Sequence, residues 1–207
     1  MVVDRAQESS RQRLLEAAEH EFATRGIDAP SLAELTKAAG LGNTGAVHYY
    51  FGGREQLLAA IVEEHRSDLD RRRELLLDEL EAAGEVEPGG LVRCLVAPMV
   101  DLLDSARGRA YLSIAAQRAL RPNQAPPTPR PVILRLLRLE GRPGGRAPVA
   151  GFLSELGFLT ATSALAQRAR LEEADGRDAG IGRDEFTAQL LDAIVRIVAV
   201  HTGEDHP

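Results

Sequence analysis

Tryptophan is absent from this 207-residue chain, cysteine occurs once, methionine twice, and aromatic residues make up only 4%. With Cys94 alone, neither an internal disulfide nor a multi-cysteine zinc site can form. Its neighbours Leu91, Val92, Leu95 and Val96 mark it as a buried thiol, which fits a reducing cytosol. Long hydrophobic runs are missing too. The longest strongly apolar uncharged stretch, 156–167, is too short to span a bilayer, and the opening MVVDRAQESSRQR has no apolar centre of signal-peptide length. A soluble, cytoplasmic protein with no membrane association is expected. Nor is there an excess of positive charge: the formal net charge is -6, and residues 1–66 carry seven Arg or Lys against ten Asp or Glu. That argues against nonspecific coating of nucleic acid, which draws on released counterions, and requires any specific DNA binding to manage without a basic domain. What the chain does have is 44% hydrophobic residues, enough for a core, and a predominance of Ala, Leu, Glu and Arg that favours helix. The expected fold is all-α.

From Glu8 to Arg25, the apolar residues Leu14, Leu15, Ala18 and Phe22 fall on one helical stripe, and Gly26 stands where a C-terminal cap belongs. In Pro30-Ser31-Leu32-Ala33-Glu34 the capping-box spacing starts a second helix, with Leu32, Leu35, Ala38 and Ala39 inward and Gly40 at its end. Asn43 can cap a very short third helix through Tyr50, with Val47 and Phe51 inward. Two short helices joined by a glycine-containing turn, braced by a longer one before them, make a helix-turn-helix. A fourth helix from Gly53 to about Ala83 carries Leu57, Leu58, Ile61, Val62, His65, Leu69, Leu76 and Leu80 on one side; at ~1.5 Å per residue it outruns a small head and must join it to a second body. After the break GEVEPGG (84–90), helical patterns recur at 91–104, 109–120, 132–140, 150–174 and 184–201, interrupted by proline- and glycine-rich segments at 121–131 and 141–148 that cannot continue a helix and read as loops.

One stretch is unusual. In AGLGNTGAVHYYFGGREQLL (39–58) there are five glycines, and no formally charged side chain stands between Lys37 and Arg54. A recognition helix presents its N-terminal residues to base edges while its neighbours hold phosphates. Thr44, Gly45 and Ala46 would make a first turn small enough for close approach, and His48 lies four residues beyond Thr44. Tyr49 and Tyr50 would put phenolic hydroxyls at the groove wall, and Arg54, with the amides opened by Gly52 and Gly53, would suit phosphate. The plainer alternative is that Tyr49 or Tyr50 packs in the core of the head.

Residues 10–66 resemble the DNA-binding head of the TetR family of transcriptional regulators, in the order helix, glycine, Ser-started helix, Ala-Gly turn, Tyr-Tyr-Phe, then a basic residue and Leu. The resemblance implies that Thr44, Gly45, Ala46 and His48 face bases, that Tyr49, Tyr50 and Arg54 contact phosphate with Asn43 beside them, and that Val47 and Phe51 are core. The turn Gly40-Leu41-Gly42-Asn43 is one residue longer than the commonest form, and His48 and Arg54 stand where tyrosine and lysine are frequent, which leaves the operator sequence open. The remaining chain resembles the family's effector domain more weakly. The expected organisation is therefore a helix-turn-helix DNA-binding domain at 8–53 and an effector-binding and dimerisation domain at 54–203, connected through the long helix at about 54–83.

The helices at 150–174 and 184–201 are apolar around much of their circumference, so each needs a second apolar neighbour. The same pair from a second chain would supply it in a homodimer, as the resemblance also implies; a single buried hairpin in a monomer is the alternative. An effector seated between the fourth helix and Met99, Leu103, Tyr111 and Phe158 would tilt that helix and change the spacing of the heads, although residues of these types at helical spacing also make ordinary core. The functional expectation is a ligand-responsive DNA-binding repressor on a palindromic operator, with a helical ligand-binding or scaffold protein lacking DNA activity as the alternative. No enzyme is expected, and no cofactor or metal. Glu16, Glu19 and His20 on one helix, and Glu63, Glu64 and His65 on another, form neither an HExxH motif nor a di-iron Glu-x-x-His pair and read as solvated faces, while His201 and His206 sit near the C-terminus without a catalytic motif around them.

Overall fold

A computed structural model describes residues 2–84, 87–121, 147–175 and 180–199. Among these the regular elements are all helical. Helix α1, Val2–Arg25, starts earlier than its apolar stripe and stops at Gly26, whose φ of +95° is the left-handed conformation glycine tolerates. Helix α2, Leu32–Ala38, opens on the expected capping box: the Glu34 amide donates to Ser31 Oγ at 3.2 Å, and the Ser31 amide donates to the Glu34 carboxylate at 2.7 Å. Those Ser31 bonds, with help from Arg25, hold the Glu34 carboxyl at about 2 rather than 4.5. Gly40, φ +67°, reverses the chain after α2, its amide donating to Lys37 O and that of Leu41 to Thr36 O. The inward face of α2 differs from the expected one. Thr36 is buried, with its hydroxyl donating to Leu32 O, and Ala38 is exposed. Leu32, Leu35, Thr36 and Ala39 follow the helical i, i+3, i+4, i+7 rule, which Ala38 breaks.

Helix α3, Ala46–Phe51, ends at Gly52 with φ +85°, and α4, Arg54–Ala83, follows for 30 residues, about 45 Å at the helical rise. Leu14, Leu15, Ala18 and Phe22 of α1 are buried together with Leu35, Val47, Leu57, Leu58 and Ile61, so one core sets α2 and α3 against the stem formed by α1 and α4.

The body begins with α5, Pro88–Val100, inside what reads as a break in the sequence; proline at the first helical position has no amide to waste and a φ already suited to helix. A 3-10 turn, Asp101–Asp104, leads to α6, Ala106–Ala119, capped by Ser105 Oγ accepting from the Gly108 amide at 2.9 Å. Helices α7, Ala147–Asp175, and α8, Arg183–Ala199, complete it. Helix α6 packs on α7 and also on α1, while α5 packs on α4 and α8. Head and body consequently share a continuous core, with Met99, Leu103 and Leu112 in the cluster that holds Leu14 and Phe22. Cys94 is buried beside Leu77 and Leu91. Among the described residues no helix is long and apolar enough to cross a membrane. The 132–140 pattern, nearly all of the 121–131 and 141–148 segments, His201 and His206 lie outside the described residues.

Candidate nucleic-acid interface

The third helix presents two sharply different faces. Gly45, His48, Tyr49 and Gly52, spaced i, i+3, i+4 and i+7, are all exposed, and Thr44 and Asn43 are exposed beside them. Ala46 and Val47 point the other way into the core. Ala46, expected at a base edge, is only 4% exposed, so its methyl is a packing group; it shares the inward stripe with Val47 and Tyr50. Asn43 also acts one step earlier than expected. Its Oδ1 accepts from the Gly45 amide at 2.9 Å, tightening the turn, and Gly45 itself occupies the helix cap.

Tyr49 is 68% exposed and meets half-buried Tyr50 edge-on, with ring centroids 4.8 Å apart. The two tyrosines thus divide the roles the sequence left open: Tyr50 packs against the core and Tyr49 projects. Phe51 is half-buried, and the Arg11 guanidinium lies 4.8 Å from its ring centre. His48 Nδ1 donates to Gly52 O at 3.3 Å, tying the ring to the end of its own helix.

Arg54, expected on a phosphate, turns inward instead. Its guanidinium donates to Ile27 O at 2.7 Å and to Pro30 O, and it lies 5.7 Å from the centre of the Phe22 ring. The loop between α1 and α2 exposes carbonyls without helical partners, and the planar fork of arginine satisfies two at once. Arg54 therefore clasps this loop to the start of α4.

A second departure lies where α1, α4 and α6 meet. Glu19, read as solvated, is 2% exposed: its carboxylate accepts from Arg107 Nε at 2.8 Å and pairs with His65, whose ring stacks on Tyr111 at 4.4 Å. Arg107 also reaches Glu64 at 3.0 Å. Burial works against the Arg107 charge, but its bonds to Glu19 and Glu64 outweigh it and raise its pKa. Burial likewise pushes the Tyr111 hydroxyl up. The one signal for this cluster in the sequence was His65 on the apolar side of α4.

Of the expected effector residues, Met99, Leu103 and Tyr111 are packed core, and Phe158 is 39% exposed on α7. A cleft of about 430 Å³ opens elsewhere, between α5, the 3-10 turn and α8, with Arg93, Asp101, Asp104, Arg183 and Leu191 in its walls and none of those four. Arg183 there pairs with Asp104 and Glu172. Burial would raise the Glu172 pKa, yet hydrogen bonds from Arg183 and Arg168 keep it below its ordinary value.

A short outward helix of small and neutral residues, set on a helix-turn-helix core and carried by a long helix into a helical body, defines an all-helical protein with an N-terminal helix-turn-helix head. Residues 14–61 match the family model for bacterial regulatory proteins of the tetR family. The chain is 31% identical over 107 residues to the HTH-type transcriptional regulator TtgR of Pseudomonas putida, covering 51% of this chain and 48% of that protein. It is 30% identical, over the same length and with the same coverage, to the probable HTH-type transcriptional regulator ArpR, also of Pseudomonas putida. The chain thus spans about half the length of the curated relatives it matches. A solved TetR-family regulator from Streptomyces coelicolor is 19% identical with a TM-score of 0.46, covering 93% of this chain and 96% of that one. Through residues 14–61, this chain is similar to the tetR family of bacterial regulatory proteins.

Proposed function

We propose that the protein is a ligand-responsive transcriptional repressor that binds a palindromic operator as a homodimer. The observation that carries this reading is the outward stripe Gly45, His48, Tyr49 and Gly52, exposed and free of carboxylates, on the second helix of a helix-turn-helix. Residues 8–53 are the DNA-binding unit. Thr44 and His48 read base edges, with Gly45 letting the backbone approach, and Asn43 and Tyr49 flank them toward phosphate while Tyr50 braces the helix from the core side. Arg54 keeps the head in shape. Residues 54–203 are the effector-binding and dimerisation unit. Dimerisation through α7 and α8 is supported by Leu156, Phe158 and Ile181, each more than a third exposed, where burial against a second copy would stabilise. An effector entering among Met99, Leu103 and Tyr111 must part a packed core, so its binding would be coupled to movement of α4 and α6.

Selection of duplexes from a random pool by the full chain tests this reading, and enrichment of a two-fold symmetric site is expected. Replacing both His48 and Tyr49 by alanine should then lower affinity for the enriched site roughly tenfold to a hundredfold, because a good base contact is worth about 1–3 kcal/mol. A folded double variant that binds as tightly as the wild type, or a pool that enriches nothing, would overturn the reading.

A further inference from the structure

Helix α6 grips the head near both of its ends. Close to its start, Arg107 holds Glu19 and Glu64. At its far end, Gln117 makes two bonds to the end of α1 and the loop beyond: Oε1 accepts from the Ile27 amide at 2.9 Å, and Nε2 donates to Phe22 O at 3.2 Å. Arg121, just past α6, pairs with Asp28 and stands 3.7 Å from Glu55 on α4. Ile27 is almost fully buried, and a buried amide without a partner is costly, so the side chain of Gln117 completes the backbone of this loop. The same loop is clasped from the α4 side by Arg54. It leads directly into α2 and hence into α3.

We infer that Gln117 is a positioning residue for DNA binding: it fastens the loop at 26–30, and with it the helix-turn-helix, to the body through α6, as a second connection beside the covalent one through α4. The inference rests on the proposed function and adds a route by which the body sets head orientation. A shift of α6 against α4 would pull the loop between Gln117 and Arg54 and turn α2 and α3 as a unit. Loosening Gln117 should let each head swivel, so a dimer would discriminate less sharply between half-site spacings.

Two measurements on the full-length protein test this. In the absence of DNA, hydrogen exchange at the Ile27 amide should quicken about tenfold in Gln117→Met, which keeps the length of the side chain but loses both bonds, and should stay near wild type in Gln117→Glu, which keeps an acceptor. On duplexes carrying the selected half-sites at the preferred spacing and at one base pair more, the wild-type affinity ratio should fall about threefold or more in Gln117→Met. A merely structural loss would weaken both sites alike and leave the ratio unchanged. Unaltered exchange at Ile27, or an unaltered ratio, overturns the inference. If Gln117→Met does not fold, Arg121→Gln must shift the ratio in the same direction, and no shift overturns it equally. A wild-type protein that enriches no DNA instead defeats the functional reading and removes the positioning role with it, whatever the exchange data show.

Discussion

Glu19→Ala separates the two environments assigned to this carboxylate, one from the sequence and one from the fold. A solvated glutamate on a helix surface should cost less than about 0.5 kcal/mol on replacement. In the structure Glu19 is buried between Arg107 and His65. The Arg107 side chain is 44% exposed and can return to water, so its share is discounted to at most about 1 kcal/mol. His65 is 12% exposed and held against Tyr111; losing its charged partner leaves a polar ring edge with little water, worth about 1.5–3 kcal/mol. Removing the buried methylene adds roughly 0.8 kcal/mol. Together these give about 2–5 kcal/mol, or a fall in the thermal midpoint of roughly 4–20 °C for a chain of this size. Urea unfolding followed by circular dichroism would measure it, with Glu19→Gln expected to lose less because it keeps the shape and one acceptor. A double-mutant cycle with His65→Ala should return a coupling of about 1–3 kcal/mol. A loss below about 0.5 kcal/mol, the surface value, or no coupling, would refute the buried junction.

Gly108→Ala should destabilise by about 1–2 kcal/mol despite the better helix propensity of alanine, because a Cβ there would stand 2.1 Å from Leu102 O and 2.8 Å from its carbonyl carbon; a thermal midpoint at or above wild type would show that the 3-10 turn yields freely. Arg54→Lys should lower DNA-free stability by about 1–2 kcal/mol, since one ammonium cannot span the carbonyls of both Ile27 and Pro30, whereas an arginine serving phosphate alone would leave the DNA-free midpoint unmoved. Glu34 has a folded pKa depressed to about 2 from 4.5, so its contribution is complete above 4.5 and disappears as the pH falls toward 2. The stability gap between wild type and Glu34→Gln should therefore narrow across that window in acid titrations followed by circular dichroism, and a gap independent of pH would contradict the capping box.

Local chemistry carried the head a long way. The capping box at Ser31 and Glu34, the reversals at Gly26 and Gly40, and the apolar stripe of α1 each depend on residues within a few positions, so spacing alone exposes them. The all-helical class followed for the same reason. For Ala46 and Ala38 the expected facing was off by a single step, because both are small enough to suit either side of a helix and only their neighbours in space decide.

The sequence by itself determined where α2 starts, where α1 and α2 stop, and that a neutral, glycine-flanked helix would follow the turn, because hydrogen bonds and periodicity over one or two turns are properties of the local chain. Tertiary structure alone decided that Arg54 faces inward and that α6 holds the head. Glu19 meets partners 46 and 88 residues away, and Gln117 meets Ile27 across 90. Periodicity reveals that a helix has a face to bury, but the groups waiting there are set by how the helices pack.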